Sequence, residues 1–256
     1  MKWSDYIKPV KTVTMGKYWQ SNNDTKEPIE WIVLREEPDR MYVISQYCLD
    51  YVPYCDDRKN IRWERSNIRK WLNEYFYDEA FSSEEKGQIL CSDVITENGG
   101  YSRRLDSGRP VQDYIFLPSI AEAIILFNGD SFGDIRCCQK RFASPTPYAS
   151  QRGAAVSVIE HRLLDEFELA YWYSNAMANI PYWVCANPKN RPVLVEENSE
   201  ADTIETRLTS KWFLRTDGSS ESQIRCVEPD GRLSYILFSE QEKEKVAVRP
   251  AMWIKK

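Results

Sequence analysis

Ile29-Glu30-Trp31-Ile32-Val33-Leu34, then Glu37-Pro38-Asp39-Arg40, then Met41-Tyr42-Val43-Ile44-Ser45 is the stretch on which the fold turns. The first run is β-branched and aromatic, which suits a pleated, half-buried strand. Glu-Pro-Asp-Arg supplies a turn, because proline presets its own φ and aspartate bonds the backbone ahead of it. The third run then returns as the second arm of a hairpin. Upstream, residues 1–28 read as polar and turn-rich.

Helical periods follow the hairpin. Ser66 is a candidate N-cap, and Ile68, Trp71, Leu72, Tyr75 and Phe76 fall at the spacing of one helical face. A shorter helix is predicted from Ser82, boxed by Glu85, to about Leu90. A third starts at Ser119, boxed by Glu122, with Ile120, Ala123, Ile124 and Phe127 on one side. Residues 96–114 read as loop. A fourth helix is predicted over 157–179, where Leu163, Phe167, Ala170, Tyr171 and Ser174 share a face.

The last quarter reads as β. Lys211–Arg215, Gln223–Val227, Leu233–Phe238 and Val246–Arg249 are strand-like, and Pro229-Asp230-Gly231 turns one into the next. The expected fold class is α+β, with an early hairpin, two to three helices and a C-terminal antiparallel meander.

Composition narrows the function. The chain has 256 residues, 42% apolar and 13% aromatic, including 9 Trp and 15 Tyr, so it can bury enough area to offset the entropy of folding. No run approaches the roughly 18 apolar residues of a bilayer span, and the start carries no apolar core of a secretory signal. A net charge of −5 argues against general nucleic-acid binding, which needs a basic face to displace counterions. Seven cysteines, an odd number with no CxxC pair, fit reduced thiols and a cytoplasmic location. One histidine, His161, excludes multi-histidine metal sites within the chain. It lies four residues before Asp165, and an exposed i,i+4 pair is preferred to a catalytic base, since no GxSxG turn occurs.

Eight strings, in order, carry a resemblance. They are Gly16-Lys17-Tyr18-Trp19-Gln20, Pro28 to Leu34, Ser66-Asn67-Ile68-Arg69-Lys70-Trp71-Leu72-Asn73, Phe76-Tyr77-Asp78-Glu79-Ala80-Phe81, Ile115-Phe116-Leu117-Pro118-Ser119, Thr146-Pro147-Tyr148-Ala149, Trp212-Phe213-Leu214-Arg215, and Val248-Arg249-Pro250-Ala251-Met252-Trp253-Ile254. The series resembles a bacterial domain family of unknown function, and covers nearly the whole chain. That family is similar in turn to the C-type-lectin-like fold of formylglycine-generating enzymes and retroelement variable proteins. The resemblance implies a single C-type-lectin-like domain over 1–256 with its ends brought together, and the stretch between Gly153 and Trp212, longer than the family pattern, reads as a helical insertion at about 155–210. It departs from the family pattern at Trp212-Phe213-Leu214-Arg215-Thr216, where the family has Trp-Trp-Leu-Arg-Ser.

Glu228-Pro229-Asp230 is similar to the calcium-dependent sugar motif of true lectins, but the Trp-Asn-Asp that follows it there is missing, and a turn is the better reading. The copper-binding cysteine pair of formylglycine-generating enzymes has no counterpart in Cys185 and Cys226. Trp63, Trp71, Trp212 and Trp253 read mainly as core, and Arg215 and Arg249 as internal clamps. No metal and no cofactor is expected. The expected function is a non-catalytic module that binds a protein partner or small ligand. Its candidate site residues are Tyr171, Trp172, Tyr182 and Trp183 in the insertion, and Arg215, Asp217 and Asp230 on the meander. Two alternatives stay open: an enzyme using Cys or carboxylate groups in a cleft, and a structural subunit of a phage or mobile-element assembly.

Overall fold

A computed structural model describes residues 11–57, 61–96, 110–128, 141–161, 205–218 and 222–256. It is a mixed α/β structure of antiparallel sheets and short helices. The largest sheet has the order β1 (Thr12–Trp19), β2 (Lys26–Glu36), β3 (Arg40–Ser45) and the C-terminal β11 (Ala251–Lys255). The expected hairpin is β2–β3, and the C-terminal strand lies against its second arm, with Ala251 opposite Ile44.

Strand β1 corrects the reading of residues 1–28 as turn-rich. Its alternation is hidden by a bulge between Thr14 and Lys17, which places Met15 and Gly16 both inward. Gly16 has φ +72°, and a Cβ there would lie 2.6 Å from the Phe81 ring and 2.9 Å from the Ala80 carbonyl. Only glycine fits that approach.

Ser66 caps α1 (Asn67–Trp71), its hydroxyl accepting from the Arg69 amide. The helix then widens into a π-helical turn (Leu72–Phe76) before α2 (Tyr77–Ala80). This rephases the apolar stripe. Ile68, Leu72 and Phe76 stay in the core, while Tyr75, expected on that face, is 47% exposed beside Trp71. The helix α3 (Ser83–Lys86) has the predicted Ser82/Glu85 box but is a single turn, short of the expected Leu90. Within residues 96–114, Val111–Asp113 forms β5, paired with β4 (Ser92–Val94). The helix α4 (Ile120–Asn128) is boxed by Ser119 and Glu122 as expected. Thr146 caps α5 (Pro147–Arg152).

The fourth predicted helix is overturned at its start. Ser157–His161 is strand β6, antiparallel to β7 (Glu205–Thr209), with His161 opposite Glu205. Five consecutive residues pair across the ribbon, and that ladder overrides the helical spacing of the sequence. Leu163, Phe167, Ala170 and Ser174 lie outside the described residues.

The meander is a three-stranded sheet of order β10 (Leu233–Leu237), β9 (Gln223–Val227) and β8 (Trp212–Asp217). Val246–Arg249 is not its fourth strand. It runs between the sheets, bonding Lys211 and Phe213 through Ala247 and residues 49 and 50 through Val248. One core joins both sheets and the helices. Its three largest buried side chains, Trp31, Trp63 and Trp212, donate their indole N–H to Met15 O, Asp113 Oδ2 and Arg141 O at 2.8, 2.9 and 3.0 Å. Among the described residues no helix is long and apolar enough to cross a membrane.

Candidate functional site

The most unusual chemistry on an accessible face gathers where β1, the segment after β3, the π turn and α5 meet. Asp50 is buried, with its backbone fixed by an antiparallel bridge to Val248. Its Oδ2 accepts the Tyr18 hydroxyl at 2.7 Å. Its Oδ1 accepts the Tyr51 amide at 2.7 Å and Arg152 Nε at 3.2 Å. Burial pushes the Asp50 carboxyl above its usual range, although all three donors pull it down. Burial, and then the charge of Asp50, pushes the Tyr18 hydroxyl far up, so it stays a proton donor.

Arg152 ends α5 and carries a side chain 50% exposed above this buried acid. The neighbouring Gly153 has φ +126°, and a Cβ would meet the Tyr51 ring at 2.9 Å. That close approach seats Tyr51 against the end of α5.

Aromatic rings cluster on Tyr18, the hydroxyl donor to Asp50. Trp19 and Tyr148 stack with centroids 5.7 Å apart, Trp71 and Tyr75 lie 6.1 Å apart, and Tyr18 meets Trp19, Trp71 and Tyr148 edge-on. Lys26 Nζ sits 4.8 Å over Trp19 and pairs with Glu79. Burial raises the Tyr75 and Tyr148 hydroxyls, and both feel Asp50 and Arg152. The result is a cation held by a buried carboxylate, with the Tyr75 and Tyr148 hydroxyls within its electrostatic reach.

The residues expected from sequence stand elsewhere. Arg215 is buried, its guanidinium gripping both oxygens of Glu122 at 2.5 and 2.8 Å and the Leu117 carbonyl at 2.7 Å. That is an internal clamp. Asp217 ends β8, with its Cα opposite Ile224. Asp230 closes the β9–β10 turn, accepting the Arg232 amide at 3.2 Å and its Nε at 2.8 Å. Glu228 of the same Glu-Pro-Asp string pairs with Lys211 at 3.1 Å, so cations of the chain already take both carboxylates. Tyr171, Trp172, Tyr182 and Trp183 lie outside the described residues, as does Cys185. Among the described residues no group of three or more His, Cys, Asp or Glu is placed to hold a metal ion.

Sequence reasoning missed Asp50 and Arg152 because they stand 102 residues apart and neither belongs to a motif. The aromatic strings Gly16–Gln20 and Thr146–Ala149 held the available signal, since each brings rings to this surface.

A family model described as Domain of unknown function (DUF6273) matches residues 38–256. The chain belongs to the DUF6273 family. The matched span opens in the β2–β3 turn, so Asp50, Trp71, Tyr75, Tyr148 and Arg152 lie within the DUF6273 region, while Tyr18 and Trp19 on β1 precede it. Comparison with curated proteins and with solved structures returns no match.

Proposed function

We propose that this DUF6273 chain is a non-catalytic binding module on a C-type-lectin-like scaffold, and that its recognition face is the aromatic surface around Arg152. One observation carries the reading: a half-exposed guanidinium is fixed by a buried carboxylate, and Tyr75 and Tyr148, whose hydroxyls feel its charge, stand in ring pairs with Trp71 and Trp19. Tyrosine, tryptophan and arginine supply interface energy out of proportion to their number. Asp50 supports binding over catalysis, because both its oxygens are engaged and only 2% of its side chain is exposed. A general base needs a lone pair within reach of substrate.

The lectin-like scaffold is supported by the C-terminal strand returning to the early hairpin and by a separate meander whose connections would display loops. Asp217 and Asp230 belong to that displayed end. The insertion aromatics Tyr171, Trp172, Tyr182 and Trp183 are proposed as a further contact surface. Among the described residues Cys48, Cys55, Cys91 and Cys226 are free thiols, which supports a cytoplasmic location.

Affinity capture from the native host, comparing the wild-type chain with Tyr75→Ala and Arg152→Gln, tests the face. Both side chains are exposed enough that the variants should fold. Loss of the same captured species in both supports the reading; undiminished capture by both overturns it.

A further inference from the structure

We infer that the ligand carries an anionic oxygen group, a carboxylate or a phosphate, on a planar apolar body, and that Arg152 receives it through its two terminal nitrogens. This rests on the recognition face proposed above and names the chemistry of its ligand.

Arg152 bonds Asp50 through Nε, and no acceptor among the described residues takes its terminal nitrogens. A guanidinium held at Nε has lost much of its rotational freedom, yet keeps a planar pair of N–H donors. That pair matches the two oxygens of a carboxylate or phosphate, and charge-assisted bonds of this kind are the strong ones. Asp50 thus acts as a positioning residue. Its carboxylate is buried beneath the guanidinium, where it orients the cation without meeting the ligand.

The nearby carboxylates do not close the site to anions. Glu79, which acts on Tyr75, is engaged by Lys26 Nζ through both its side chain and its carbonyl. Glu242 acts on Tyr51 and produces no hydrogen bond or ion pair with Arg152. Within electrostatic reach of the cation, Tyr75 offers an exposed ring and Tyr148 a partly buried one stacked on Trp19. A flat apolar body attached to the anion would cover these faces and exclude water from the ion pair, which strengthens it.

The test titrates the full chain with phenyl phosphate, benzoate, inorganic phosphate and benzyl alcohol, followed by tryptophan fluorescence and by the indole N–H signals of Trp19 and Trp71. Phenyl phosphate or benzoate should bind about tenfold more tightly than benzyl alcohol or inorganic phosphate, and the tighter of the two names the anion. Arg152→Gln should lose that advantage, and Arg152→Lys should keep only part of it, because an ammonium has charge without the fork. If benzyl alcohol binds as well as benzoate, or Arg152→Gln binds both anions like the wild type, the inference is overturned while the aromatic face stands. If no probe shifts either indole, the inference is also overturned, and host capture alone then decides whether the face binds a partner.

Discussion

Arg249 lies with its guanidinium carbon 5.1 Å from the ring centroid of Trp212, fully buried, and pairs with no carboxylate among the described residues. It donates Nε to Ser45 O at 3.0 Å and Nη1 to Arg141 O at 3.2 Å, while Nη2 has no partner among the described residues. Burial pulls the group down to about 10, as expected of a cation without a counter-charge. It ties the end of β3 to the segment that holds Trp212.

Arg249→Lys should therefore cost more stability than Arg249→Met. Lysine keeps a buried charge but cannot span two carbonyls or stack flat on the indole, whereas methionine removes the charge and keeps the bulk. The lysine variant should lose about 3 kcal/mol or more, read by urea unfolding. Equal losses would mean that packing alone explains the residue.

Glu122 and Arg215 set the acid limb of stability. Burial raises the Glu122 carboxyl, but the charge and two bonds of Arg215 outweigh it, so the carboxyl sits below its usual range. The pair's contribution is complete above the free glutamate value of 4.5 and disappears as pH falls through the lowered one. Glu122→Gln should cost about 3 kcal/mol near neutral pH, the low end for a broken buried pair because Glu122 keeps some solvent contact. Unfolding at neutral and acid pH should show the variant's stability falling less on acidification than the wild type's.

Asp50 should show the opposite slope. Its folded-state carboxyl is raised, so the folded chain binds the proton more tightly, and stability from this group declines as pH rises from below 3.8 through the raised value. Asp50→Asn removes that decline while leaving an oxygen that can accept from Tyr18. The variant should match or exceed wild-type stability at neutral pH and bind phenyl phosphate more weakly, because Arg152 loses its anchor. A strongly destabilised variant would make Asp50 a structural residue only.

Ser157 pairs with Thr209 and His161 with Glu205, so the two ends of the segment 162–204 leave and return on adjacent strands. Replacing 162–204 by Asn-Gly, a dipeptide suited to a two-residue hairpin turn, should leave a cooperatively folding chain. Calorimetry checks this. A broad or absent transition would make the segment part of the core and remove the insertion aromatics from the proposed contact surface.

The hairpin β2–β3 and the caps at Ser66, Ser82 and Ser119 were legible because their causes are local: a turn sequence, alternating side chains, and a hydroxyl three residues from an amide. Strand β1 was not, since the bulge at Gly16 breaks the alternation by one residue. Tyr75 was misplaced by a π turn that no residue between Leu72 and Phe76 announces. The ribbon strand β6 read as helix because its partner lies more than forty residues downstream, where a ladder of backbone bonds overrides local spacing.

The candidate site shows the same division. By itself the sequence determined that this chain has an aromatic-rich core, an early hairpin, capped helices and late strands, because burial and backbone preference act over a few residues. Only the tertiary structure decided that Arg215 faces Glu122 inside the molecule while Arg152 stands half-exposed over Asp50. Both are arginines near apolar neighbours in sequence. Which one keeps its terminal nitrogens for solvent depends on the carboxylate each meets: Glu122 takes both terminal nitrogens of Arg215, and Asp50 reaches only Nε of Arg152.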